Sequence, residues 1–128
     1  MNTNEKGNTG LIKVIADLYS KGFHCFTPFD DYSPVDCIVM NSNGKTFRLQ
    51  IKYRSPDKDD CYKIYASSVV NGKRVKINKD LIDYWAVYLS DIDKIVYLPV
   101  SVMENKNSHT ITQKQIGELD ERLKSAPC

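Results

Sequence analysis

The sequence predicts one α/β (α+β) domain over residues 1–128, a mixed central β-sheet flanked by helices. Three observations predict it: an amphipathic helical period near the N-terminus, several short apolar strands separated by Asn-Gly and proline turn signals, and helical spacing again near the C-terminus. With 128 residues, 41% of them apolar, the chain can bury one core but is too short to divide comfortably into two.

From Leu11, the residues Val14, Ile15, Leu18 and Tyr19 recur on one helical face. Thr3, Asn4, Asn8 and Thr9 are N-cap candidates, and Gly22 stands where a left-handed residue stops a helix. Gly7 and Gly10 weaken the first turns, which suggests close backbone packing or a start nearer Asn8. Phe23 to Thr27 reads as a short strand closed by Pro28, with His24 in a buried position, and Phe29 to Pro34 reads as a loop. Val35 to Met40 reads as a strand, and Asn43-Gly44 as the turn of a hairpin.

The returning strand alternates Phe47, Leu49, Ile51 and Tyr53 with Thr46, Arg48, Gln50, Lys52 and Arg54, so one face is expected in the core and the other polar. Asn71-Gly72 marks a second hairpin in a basic, tyrosine-bearing stretch. Tyr84 to Leu89 and Lys94 to Val100 read as strands joined at Ser90 to Asp93. A last helix from about Thr112 buries Ile116, Leu119 and Leu123, while His109 falls in a polar loop.

No stretch approaches the roughly 20 consecutive apolar residues of a membrane span, and Met1 to Lys6 has no signal-type apolar region behind it, so a cytoplasmic protein is expected. Cys25, Cys37, Cys61 and Cys128 are widely spaced with no C-x-x-C pair, which favours free thiols over disulfides or zinc. Residues 45–79 hold ten basic side chains against three acids, a balance of +7; the remainder, eight basic and thirteen acidic, is −5. A segregated positive segment suits a phosphate backbone, and a solvated charged face meets the same description.

A hairpin reversed about Asn43-Gly44 pairs positions whose numbers sum to about 87, which sets Asp36 opposite residue 50 or 51. Asp36, Gln50 and Lys52 then gather on two adjacent strands. Asp36, the Gln50 side-chain carbonyl and the Ile51 backbone oxygen are hard ligands suited to Mg²⁺ (or Mn²⁺), and Lys52 suits an attacked phosphate. A turn-flanking carboxylate beside solvent-facing strand residues has the same spelling. Arg48, Arg54, Arg74 and Lys76 are the candidate DNA contacts, because a β-ribbon enters a major groove and arginine pairs bidentately with guanine. Tyr53, Tyr62 and Tyr65 suit stacking on bases or an ordinary place in a sheet.

Asn4-Glu-Lys-Gly-Asn-Thr-Gly opening a helix, then Gly22-Phe, Pro34-Val-Asp-Cys-Ile-Val and Gly44-Lys-Thr-Phe-Arg-Leu-Gln-Ile-Lys, resembles the PD-(D/E)XK nucleases. Within them the chain looks closest to the group I intron-associated homing endonucleases, with archaeal Holliday-junction resolvases more distant. The resemblance is strong over residues 4–54, faint through about residue 100, and absent beyond. It implies a restriction-endonuclease-like core, metal-dependent double-strand cutting, and a homodimer or homotetramer on a pseudo-palindromic double-stranded site in bacterial or organellar DNA. Pro34 and Asp36 match the P-D element with Val35 inserted, and Gln50-Ile-Lys matches (D/E)-X-K with glutamine for the acid.

A second departure lies on the first helix. Relatives carry a glutamate four residues after the Lys-Gly glycine, where this chain has Leu11. Leucine binds no cation, so Leu11 is simply core, or marks lost activity, whether natural or introduced to trap a complex, or both, because the acid in relatives sits where the apolar face meets the metal site. The alternatives to a homing enzyme are a resolvase or restriction-like nuclease and, in another class, a catalytically inactive DNA-binding module.

Overall fold

The computed structural model describes residues 1–30 and 32–117. Helix α1 spans Thr3–Ser20 and begins earlier than its apolar period suggests. Its N-cap is Asn2, whose side chain accepts from the Glu5 N–H at 2.9 Å while Glu5 reaches back to the Asn2 N–H. This capping box satisfies two donors that a helix start leaves open, so neither Gly7 nor Gly10 delays the helix. At the other end Gly22 takes φ +91°, and the N–H groups of Gly22 and Phe23 close onto the carbonyls of Tyr19 and Leu18. Val14 and Leu18 are fully buried, but Tyr19 is 69% exposed and lies off the packed face.

Five strands form the central sheet in the order β1-β2-β3-β7-β8. They are β1 (His24–Phe26), β2 (Cys37–Met40), β3 (Thr46–Arg54), β7 (Tyr84–Leu89) and β8 (Lys94–Pro99). Every neighbouring pair is antiparallel except β3 with β7. The sheet is therefore mixed, as expected. Between β3 and β7 the chain forms β4 (Tyr62–Tyr65) and the two-stranded ribbon of β5 (Ser67–Val70) and β6 (Lys73–Lys76). The ribbon turns at Asn71 and Gly72, both with positive φ, as an Asn-Gly hairpin requires. In the first hairpin only Gly44 is left-handed; Asn41 supplies the turn's side-chain acceptor, to the N–H groups of Asn43 and Lys45.

β4 pairs with β9 (Ser108–Ile111), a pairing that the sequence pattern did not reveal. His109 is consequently a strand residue, bonded to Gln115 at 3.0 Å, rather than part of a polar loop. His24 is exposed on the edge strand β1, not buried. The backbone is helical over 113–117, entered through a reciprocal Thr112 and Gln115 cap, and Ile116 packs on the core. Leu119, Leu123 and Cys128 lie outside the described residues; Cys25, Cys37 and Cys61 are free thiols. No described helix is long and apolar enough to cross a membrane.

Across β3, β7 and β8 the sheet is covered on both faces, with Phe26 and Ile38 left exposed at the β1–β2 side, which corrects the reading of β3 as half core and half polar. On one side α1 covers Cys37, Val39, Phe47, Leu49 and Ala86. On the other, Trp85, Val87, Leu89, Val96 and Leu98 pack with Ile64, Ile77, Ile82 and Met103. Gln50 and Lys52 stand beside Trp85 and Val87 in parallel register, and are only 7% and 6% exposed. Polar spelling on β3 thus marks a second, buried face.

Gly10 rests over β3, where an added Cβ would meet Ile51 Cγ2 at 3.5 Å and Tyr53 Cβ at 3.6 Å, ordinary contact distances. Gly10→Ala is expected to stabilise the protein by about 0.5–1 kcal/mol through helix propensity and added contact. Denaturant unfolding checks this, and a lower midpoint would show that the α1–β3 packing needs glycine.

Candidate active site

Asp36 stands just before β2, and its backbone and side chain both engage β3. Its N–H donates to the Leu49 carbonyl at 2.8 Å, and its Oδ2 accepts from the Ile51 N–H at 2.8 Å. Where the β2 backbone leaves the ladder, the carboxylate takes over as acceptor. The register, Cys37 with Leu49 and Met40 with Thr46, puts Asp36 opposite Gln50, one of the two positions, 50 or 51, expected from the turn. Burial raises the Asp36 pKa above the ordinary carboxylate value, and the Ile51 N–H and the Lys52 charge oppose that rise.

Gln50 Oε1 and Trp85 Nε1, on residues paired across the parallel strands, are the buried side-chain polar atoms without a hydrogen-bond partner among the described residues. Such atoms are rare because an unmade bond in the interior costs roughly 1–3 kcal/mol. Lys52 is next along the same face. Its Nζ donates to the Ser67 carbonyl at 2.8 Å and lies 5.8 Å from the centroid of the Trp85 ring. Burial, then the nearby Arg54, lowers its pKa from 10.5 to about 8.

These residues border two cavities that adjoin along Gly7 and Ile51. One, of about 410 Å³, lies between α1 and the β2 entry; Leu11, Asn8, Ser33 and Asp36 line it. Leu11 is half-buried there, so it both touches the α1 core and faces the cavity of the carboxylate. The other, of about 640 Å³, is a groove along Gln50 and Lys52 lined by the cations Lys6, Lys52, Arg54 and Arg74, with no carboxylate among its described lining residues. A further hollow shares Tyr65, Ser67 and Arg74 with it and continues to Lys76.

The structure brings together Asp36, Gln50, Ile51 and Lys52, and sets Arg54, Arg74 and Lys76 along the same track. Arg54 donates to the carbonyls of Lys63 and Tyr53. Arg48 lies elsewhere, in a two-bond pair with Asp83 at 3.0 and 3.1 Å that ties β3 to the entry of β7. Tyr62 is buried with its hydroxyl on Asp91 and serves the fold; Tyr53 tilts against Tyr88 but is half-buried and lines the groove under Lys6, and Tyr65, under Arg74, remains 41% exposed. Sequence reasoning missed Lys6, which α1 carries into the groove and which only the true helix start at Thr3 places there.

No group of three or more His, Cys, Asp or Glu side chains able to hold a metal occurs among the described residues. A cation here would rest on one carboxylate, the unpartnered Gln50 oxygen and backbone carbonyl oxygen, a hard-oxygen set that fits Mg²⁺ or Mn²⁺ and not zinc.

Comparison with known proteins places this geometry in a lineage. No curated protein sequence matches the chain significantly. Among solved structures, the bacterial homing endonuclease I-Ssp6803I matches with a TM-score of 0.74 at 16% identity, over 88% of this chain and 80% of that one. The Holliday junction resolvase Hjc of Archaeoglobus fulgidus matches with a TM-score of 0.58, also at 16% identity, over 87% of each chain. The central sheet with α1 on one face is the restriction-endonuclease-like α+β fold expected from the sequence. Residues 1–124 match the family model of the PD-(D/E)XK endonucleases, and the chain belongs to that family.

Proposed function

We propose that the protein is a site-specific homing endonuclease that makes metal-dependent double-strand breaks in DNA, with Asp36, Gln50 and Lys52 as its catalytic residues. The observation that carries the reading is the Gln50 side-chain oxygen, buried, without a partner, and opposite Asp36. Asp36, Gln50 Oε1 and the Ile51 carbonyl would hold Mg²⁺ or Mn²⁺, which, when bound, supplies Lewis-acid neutralisation of the phosphate. Lys52 donates to a non-bridging phosphate oxygen as charge builds during water attack. The water oxygen then forms the new P–O bond and sheds a proton to solvent, the bond to the departing sugar oxygen breaks, and that oxygen takes a proton from solvent.

Arg54, Arg74, Lys76 and Lys6 hold the flanking phosphates, and the β5–β6 ribbon is the element shaped to enter a major groove. With Arg48 paired to Asp83, its contribution to DNA is orientation of β3 rather than direct contact. The resemblance over residues 4–54 favours a homodimer or homotetramer, and hence a pseudo-palindromic double-stranded target with two half-sites in the cytoplasmic genome of a bacterium or in an organelle.

Cleavage of a pooled library of intron-insertion sequences with Mg²⁺ or Mn²⁺, run beside four-way junctions, tests the reading. Preferential cutting of linear duplex supports it; preference for junctions makes the protein a resolvase. DNA binding that is identical with and without metal, with no cutting even in Leu11→Glu, makes it an inactive binding module.

Affinity should fall steeply with salt, because each neutralised phosphate contributes a log–log slope of about −0.9. Replacing Arg74 and Lys76 by glutamine is expected to flatten the slope by about 2. An unchanged slope in fluorescence-anisotropy titrations would move the DNA surface away from the groove.

A further inference from the structure

Lys52 is not free in its groove. Its ammonium is bonded to the carbonyl of Ser67, the first residue of the β5–β6 ribbon. The same serine has a second partner: Arg74 Nη1 donates to Ser67 Oγ at 2.8 Å, and the guanidinium lies 5.5 Å over the Tyr65 ring. Arg74 belongs to the returning strand, opposite Val69, is exposed, and lines both the groove and its continuation. Two hydrogen bonds through one residue therefore join an exposed cation on the ribbon to the buried cation beside Asp36 and Gln50.

We propose that Arg74 and Ser67 are positioning residues that couple DNA on the ribbon to the placement of Lys52. A phosphate is a stronger partner for a guanidinium than a neutral hydroxyl is. When DNA takes Arg74, Ser67 loses the cross-strand contact of its side chain, and Lys52 exchanges a backbone carbonyl for a phosphate oxygen. The ribbon is a two-stranded unit with little stability of its own beyond its base, where the Ile77 N–H bonds the Ala66 carbonyl and the Ala66 N–H the Asn107 carbonyl, so it shifts about that anchored base. Lys52 thus stays sequestered until the ribbon is occupied.

The inference rests on the groove being the DNA site, and a signal independent of cleavage tests it. Trp85 is the sole tryptophan, and the Lys52 ammonium lies over its ring, so Trp85 emission reports where that ammonium is. DNA-free Lys52→Met gives the emission without the cation. Short duplex DNA at low salt is expected to shift the parent protein toward that emission. Ser67→Ala should bind DNA within about threefold of the parent, since one hydroxyl contributes little net affinity, yet show a shift reduced about twofold or more. Ser67→Thr, which keeps the hydroxyl, should restore it. If Ser67→Ala fails to fold, Ser67→Cys takes its place, close in size but with a thiol that accepts only weakly from Arg74. DNA binding by anisotropy with no change at Trp85, or a full change in Ser67→Ala or Ser67→Cys, overturns the coupling while leaving the DNA reading intact. No binding to duplex at low salt overturns both.

Discussion

Leu11→Glu is expected to raise Mg²⁺-dependent DNA cleavage by roughly a hundredfold, since one added metal-site ligand or its support changes activity on that scale. Leu11 lines the same cavity as Asp36, and this cavity adjoins the groove of Gln50 and Lys52 along Gly7 and Ile51. A cation held as proposed would have a single carboxylate among its ligands; a second acid on α1 would add a hard oxygen and a negative charge from across the cavity. The position is half-buried, so a glutamate there keeps access to water and avoids the penalty of an unpaired charge in the interior. Loss of the leucine's contacts with the α1 core costs about 1 kcal/mol. Cleavage and thermal unfolding measured together decide the matter. A large drop in melting temperature with no gain in cutting would show that Leu11 belongs to the core alone.

Lys52→Met in that active background should lose cleavage by about 10²-fold or more while DNA affinity changes little, because the ammonium acts mainly on the transition state. Opposite behaviour is expected for stability. Lys52 is 6% exposed, and its folded pKa of about 8 lies below its ordinary 10.5. Between those values the unfolded chain binds more protons than the folded one, so stability rises with pH across that window. Below about pH 8 both states are protonated and the full penalty, on the order of 3 kcal/mol, applies. Methionine removes the penalty, offset in part by the lost bond to Ser67. Metal-free Lys52→Met should therefore unfold at higher denaturant than the parent at pH 7, with the difference shrinking toward pH 10.5. A variant that both cuts normally and gains nothing in stability would remove Lys52 from the site.

The reach and the limits of sequence reasoning follow from the range of the interactions involved. Strands on either side of an Asn-Gly turn are fixed by local geometry, so Asp36 opposite Gln50 and the β5–β6 ribbon were legible. Periodicity misled where burial depends on distant partners. Gln50 and Lys52 read as solvent-facing, because nothing near them in sequence announces Trp85 and Val87, which arrive only through the parallel pairing. His109 looked like part of a loop for the same reason, since its strand exists only against β4. The α1 start was obscured by an apolar period that begins at Leu11, although Asn2 and Glu5 spell its capping box. Arg48 shows that a basic residue in a basic segment can already be committed, here to Asp83.

The parallel pairing of β3 with β7 also sets the order in which the protein can be made. The β2–β3 hairpin carries Asp36, Gln50 and Lys52 and needs only its own turn, so it can close as soon as it is synthesised. The strand that buries Gln50 and Lys52 follows only after residues 55–83, a long loop to close before it is rewarded. A growing chain can therefore bring Asp36, Gln50 and Lys52 near one another early, in a hairpin of little stability of its own and in water, where Lys52 keeps its ordinary basicity and Gln50 its solvation. Gln50 and Lys52 are dried only when β7 docks, so the candidate site is completed later than the hairpin that carries it.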